Sequence, residues 1–126
     1  MKKDKQFWLI VLTVIVLDQL TKLIIKKSMY VSQSVPVIKN IFHITYIQNT
    51  GAGFGILQNQ QSMLIWISVF VIGVIFYNYD KIPEGWLGNG SVAFILAGAV
   101  GNLIDRIFLN YVVDFLDFRC NRIYYI

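Results

Sequence analysis

Residues 87–104 read LGNGSVAFILAGAVGNLI and run straight into Asp105-Arg106. This uncharged run, closed by an acid and a base, fits a helix that crosses a bilayer, for which roughly 17–25 apolar residues suffice. Working outward, two further stretches have the same character. One runs from Phe7 to about Ile25, after the basic start Met1-Lys2-Lys3-Asp4-Lys5, and the other from about Met63 to Tyr79. The link from Asp80 to Gly85 is short, polar and proline-containing, as a tight turn between antiparallel helices should be. The pattern predicts an all-α membrane protein with three transmembrane helices, over about 7–25, 63–79 and 87–104, forming a single membrane domain of residues 1–126.

Composition supports that reading. The chain is 56% hydrophobic and 14% charged, whereas soluble domains carry about 25% charged residues. The formal net charge of +4 includes no basic run suited to a nucleic-acid surface. Lysines beside apolar stretches suit anionic head groups instead, so membrane lipids are expected partners. The first span resembles a cleavable signal peptide, but no small-x-small cleavage pattern follows it, and Asp18 and Lys22 interrupt its far end. Cys120 is the sole cysteine, so no internal disulfide or zinc set can be assembled around it.

Between the first two spans, residues 28–61 are of mixed polarity. Asn40–Ile47 is rich in β-branched and aromatic residues, with Phe42, Ile44 and Tyr46 expected on one face. This predicts a small β-rich platform at the membrane surface, over about 28–61.

Ionisable groups inside a span are costly and require a reason. Asp18 and Lys22 are four apart, so they share a helical face and can neutralise each other. Asn102 and Asp105 share a face of the third span, with Arg106 beside them, while Gly98 and Gly101 allow a second helix to approach closely. In Val112-Val113-Asp114-Phe115-Leu116-Asp117-Phe118, apolar neighbours disfavour the charged form of Asp114. Asp117 would share its face if the segment were helical. Spacing alone leaves Asp105, Asp114 and Asp117 open as the reactive acid. Gly51-Ala52-Gly53-Phe54-Gly55 lacks the βαβ context of a nucleotide loop, and His43 has no companion for a metal site.

Taken in order, four blocks resemble lipoprotein signal peptidase, the membrane aspartic peptidase also called signal peptidase II. They are Asp18-Gln19-Leu20-Thr21-Lys22, Asn49 to Leu57, Gly98 to Arg106, and Val112-Val113-Asp114-Phe115. The resemblance implies cleavage of the signal peptide from diacylglyceryl-modified prolipoproteins by a pair of aspartates, without metal or organic cofactor. It makes Asp114 one catalytic acid, Asn49, Gly51, Asn102, Asp105 and Arg106 pocket residues, and Asp18 and Lys22 their support. It implies a bacterial cytoplasmic membrane protein with a cytoplasmic N-terminus and an extracytoplasmic active site. Charge bias alone does not orient the chain.

In the family the second aspartate lies in a Phe-Asn-x-Ala-Asp block opening a fourth span. Residues 121–126 stand about where that block would begin. The second acid and the fourth span are therefore expected to be absent, these 126 residues inactive, and the Asn102/Asp105 face left without a packing partner. Two alternatives to peptidase activity are a proton-coupled transporter subunit using Asp18 and a non-catalytic remnant that binds signal peptides.

Overall fold

The computed structural model describes residues 2–51, 56–119 and 123–125. Helix α1 (Lys2–Ser28) leads into strands β1 (Ser34–Ile38) and β2 (Phe42–Asn49). Helix α2 (Gln61–Tyr77) follows, then a single 3-10 turn (Tyr79–Lys81), helix α3 (Trp86–Leu109), and strands β3 (Val112–Arg119) and β4 (Ile123–Tyr125). Asp4–Ser28 and Trp86–Leu109 are long and apolar enough to cross a bilayer, and Gln61–Tyr77 is a shorter apolar helix of 17 residues.

Helix α3 is built to be approached. Asn89, Ala93, Ala97, Gly101 and Asp105 are buried along it, and their spacing of four keeps them on one face. The small side chains in that row let α1 lie close. Phe7 and Val11 of α1 pack with Ile82, Ala93, Leu96 and Ala97, flanked by Ile72 and Ile75 of α2. Gly101 is where the approach is tightest: a Cβ there would lie 2.3 Å from Asp18 Oδ2. At Gly98 a Cβ would meet nothing within 4 Å, so only one of the two glycines serves close packing. The helix ends on Asn110 in the left-handed region, φ 65°, a conformation asparagine tolerates at a C-terminus.

Two expectations are corrected here. The third apolar stretch does not stop at Ile104: the helix continues to Leu109 and carries Asp105 and Arg106 as buried residues within it. The fold is mostly helical with a small sheet, but that sheet reaches beyond the expected platform. Its four strands form one antiparallel sheet in the order β1-β2-β3-β4, so the sheet is not confined to residues 28–61. Charged and polar residues in 112–119 masked a strand whose alternation is clear only once β2 lies beside it, with Asn49 opposite Val112 and Ile44 opposite Leu116. The sheet is fastened to the helices by Ile25, Tyr46 and Val113, with Met29, Leu109 and Phe115 around them.

Candidate active site

Two polar clusters meet where the ends of α1 and α3 touch β3. The first is centred on Lys22, whose Nζ lies 3.0 Å from Asp18 Oδ2 and 3.0 Å from Asp105 Oδ2. It also donates to Asn102 Oδ1 at 3.0 Å. Gln19 Nε2 is within hydrogen-bonding distance of Asp18 Oδ2, the Gly101 carbonyl and Asp105 Oδ1, at 3.1–3.3 Å. Lys22 and Asp105 are buried. A lysine in such a place is tolerable because two carboxylates and an amide replace its water. A cavity of about 220 Å³ opens beside it, lined by Gln19, Lys22, Leu23, Lys26, Asp105, Leu109 and Val113.

This cluster corrects a further expectation. The Asn102/Asp105 face is not left open, because α1 covers it with Gln19 and Lys22. The partner that neutralises Asp105 is Lys22 from α1, not its chain neighbour Arg106. Arg106 instead turns toward the sheet side and donates from Nη2 to the Gly51 carbonyl at 3.3 Å.

The second cluster holds Asp114. Asn49 Nδ2 donates to Asp114 Oδ2 at 2.8 Å, and the same amide's Oδ1 accepts the Gly51 N–H at 2.8 Å. One buried side chain thus orients the carboxylate and ties down the loop. Gly51 is confined: a Cβ there would sit 2.3 Å from the Ile56 carbonyl oxygen. Burial pushes the Asp114 carboxyl above its ordinary value of 3.8, nearby Asp105 adds to the rise, and the Asn49 hydrogen bond, Lys22 and Arg106 oppose it. A carboxyl held in that balance can keep or release a proton closer to neutrality than an exposed one. The clusters are joined by a main-chain contact, the Val113 N–H donating to Asp105 Oδ2 at 3.1 Å. Residue 113 precedes Asp114, so the Lys22–Asp105 pair anchors the strand next to Asp114.

Asp117 does not share that position. On a strand, a separation of three places two side chains on opposite faces, and Asp117 is fully buried against Thr45, whose Oγ1 donates to it at 2.6 Å. Thr45 and Gln19 are the polar residues that reading the sequence missed. Gln19 carried a usable signal, a polar side chain inside an apolar span. Thr45 carried none, because its contact crosses from β2 to β3.

Against known families, the sequence pattern described as Signal peptidase (SPase) II matches residues 10–126. The chain belongs to the signal peptidase II family. Proteins named lipoprotein signal peptidase are similar along most of it. The one from Halothermothrix orenii is 48% identical over 112 residues, 89% of this chain and 77% of the relative. That from Caldanaerobacter subterraneus subsp. tengcongensis is 51% identical over 110 residues, 87% of this chain and 76% of the relative. A solved bacterial membrane enzyme, determined by the in meso method at 2.3 Å resolution, superposes with a TM-score of 0.85 at 30% identity, covering 96% of this chain and 77% of that one. Membership of signal peptidase II makes this a protease of the bacterial lipoprotein-processing class, and the solved likeness is a membrane enzyme.

Proposed function

We propose that the chain cleaves diacylglyceryl-modified prolipoproteins as an aspartic peptidase, with Asp114 as one of the two reacting acids. The observation that carries this is the setting of Asp114: half-buried, pushed toward its protonated form by desolvation, and oriented at 2.8 Å by Asn49. Peptide hydrolysis by this chemistry takes two carboxylates sharing one proton. The ionised one draws a proton from water as that water attacks the scissile carbonyl, and the protonated one hydrogen-bonds the carbonyl oxygen as negative charge develops there.

Among the described residues Asp114 has no suitable companion. Asp105 is engaged by Lys22, Gln19 and the Val113 N–H. Asp18 is paired with Lys22, and Asp117 faces away. The second acid is assigned to the family's Phe-Asn-x-Ala-Asp block. The resemblance to the family assigns Gly51, Asn102 and Arg106 to the substrate pocket. Asp18 and Lys22 support it through Asp105.

In this reading α1, α2 and α3 all span the cytoplasmic membrane in one membrane domain. The N-terminus is cytoplasmic, and the sheet and Asp114 lie at the extracytoplasmic face. The test is cleavage of a lipid-modified prolipoprotein in reconstituted membranes. A chain carrying the Phe-Asn-x-Ala-Asp block should cleave, and its Asp114→Asn variant should lose at least about a thousandfold in rate. Unimpaired cleavage by Asp114→Asn would refute the assignment. Robust cleavage by the 126 residues alone would instead place the second acid at Asp105 or Asp117.

A further inference from the structure

The turn and hairpin that follow α1 are unusually apolar for an exposed surface. Tyr30, Val31, Val37, Ile38 and Ile41 are each 52–85% exposed, and all five residues of β1 are exposed. An exposed apolar strip of this kind marks a surface that meets something other than water. Charge indicates what it meets. The sequence from residue 19 to residue 79 contains no aspartate or glutamate. Lys26 and Lys27 close α1, and Lys39 sits in the hairpin turn, beside Asn40 at φ 65°. The strip is thus fringed by cations with no acid of its own segment to neutralise them.

Chain continuity fixes where the strip lies. Only residues 29–33 separate α1 from β1, and they are tied back to β2 by Ser32 N–H donating to the Tyr46 carbonyl at 2.7 Å and Tyr46 N–H donating to the Gln33 carbonyl at 3.0 Å. A helix that ends at the edge of the hydrocarbon therefore delivers the hairpin to the head-group layer. β1 is the edge of the sheet, and Pro36 within it lacks the N–H that would recruit another strand.

We propose that residues 30–41 form a docking surface for anionic phospholipid, with Tyr30, Val31, Val37, Ile38 and Ile41 immersed in the leaflet and Lys27 and Lys39 on lipid phosphates. This rests on the membrane-spanning reading of α1 proposed above. Its consequence is positional. β1 pairs with β2, and β2 carries Asn49, the residue that holds Asp114. The lipid contact sets the depth of the reacting carboxyl at the level where a lipid-modified substrate presents its peptide bond.

The experiment uses the full 126-residue chain with Cys120→Ser and a single bimane-labelled cysteine, reconstituted into vesicles whose acyl chains are brominated near the head group. Labels go at Val37, at Ile41 as a second hairpin position, and at Phe94, which is exposed on α3. In phosphatidylcholine mixed with phosphatidylglycerol, both hairpin labels should be quenched. Lys39→Gln, or phosphatidylcholine alone, should shift the ratio of immersed to lifted hairpin toward lifted by about fivefold or more. High salt should act in the same direction. Quenching at Phe94 without quenching at Val37 and Ile41 overturns the docking surface and leaves the spanning helices intact. Hairpin quenching indifferent to phosphatidylglycerol overturns the anionic preference. Absence of quenching at Phe94 as well refutes the spanning reading, and the docking surface falls with it.

Discussion

Replacing Lys22 with methionine keeps the bulk of the stem and removes the charge that three groups share. Lys22 Nζ is 3.0 Å from Asp18 Oδ2, Asp105 Oδ2 and Asn102 Oδ1, and the Lys22 and Asp105 side chains are 6% and 3% exposed. Asp18 is 25% exposed and can turn toward water. Asp105 cannot, and keeps only Gln19 and the Val113 N–H as donors. Removing one partner of a buried ion pair costs about 3–5 kcal/mol, and most of that cost belongs to Asp105. Adding Asp105→Asn removes the stranded charge while an amide oxygen still accepts from Val113. The double variant should recover about 1–3 kcal/mol relative to Lys22→Met alone. Unfolding in mixed micelles by a denaturing detergent, followed by the fluorescence of Trp8, Trp66 and Trp86, measures both differences. A loss below about 1 kcal/mol for Lys22→Met, or no recovery in the double variant, would refute the view that this pair holds α1, α3 and β3 together.

Gly101→Ala should destabilise by about 1–3 kcal/mol, because its methyl collides with the Asp18 carboxylate, while Gly98→Ala should be neutral in the same titration. Thr45→Val removes the 2.6 Å donor to the buried Asp117 and should cost about 1.5–3 kcal/mol by that measurement. The raised Asp114 carboxyl predicts a pH dependence of defined sign. The folded chain binds a proton that the unfolded chain has already released, so stability falls as pH rises from the ordinary 3.8 through the higher folded value. Asp114→Asn should flatten that slope in a pH series of unfolding curves, and Asn49→Ala should extend it to higher pH, since the hydrogen bond favouring the charged form is gone.

Much of the candidate site was legible in the sequence. Ionisable residues within apolar runs cannot be incidental, which singled out Asp18, Lys22, Asp105 and Arg106, and spacing of three or four put Asp18 with Lys22 and Asn102 with Asp105. The apolar runs marked the three helices of the structure, because a long apolar stretch suits a helix whose side chains leave water. The order of four short blocks pointed to the family and to Asp114.

What lay beyond the sequence was every pairing across elements. Spacing gives Lys22 its partner Asp18, but nothing in the sequence chooses between Asp105 and Asp114 until α1 and α3 close on Gly101, which brings Asp105 to its nitrogen and sends Arg106 to Gly51. Residues 112–119 have too little apolar alternation to declare themselves a strand, since one face is served by Asn49 and the other by Thr45, both donated by β2. Local propensity and periodicity are written into neighbouring residues. The partner that makes a buried charge affordable is written some 80 residues away, and only the folded chain decides which one it is.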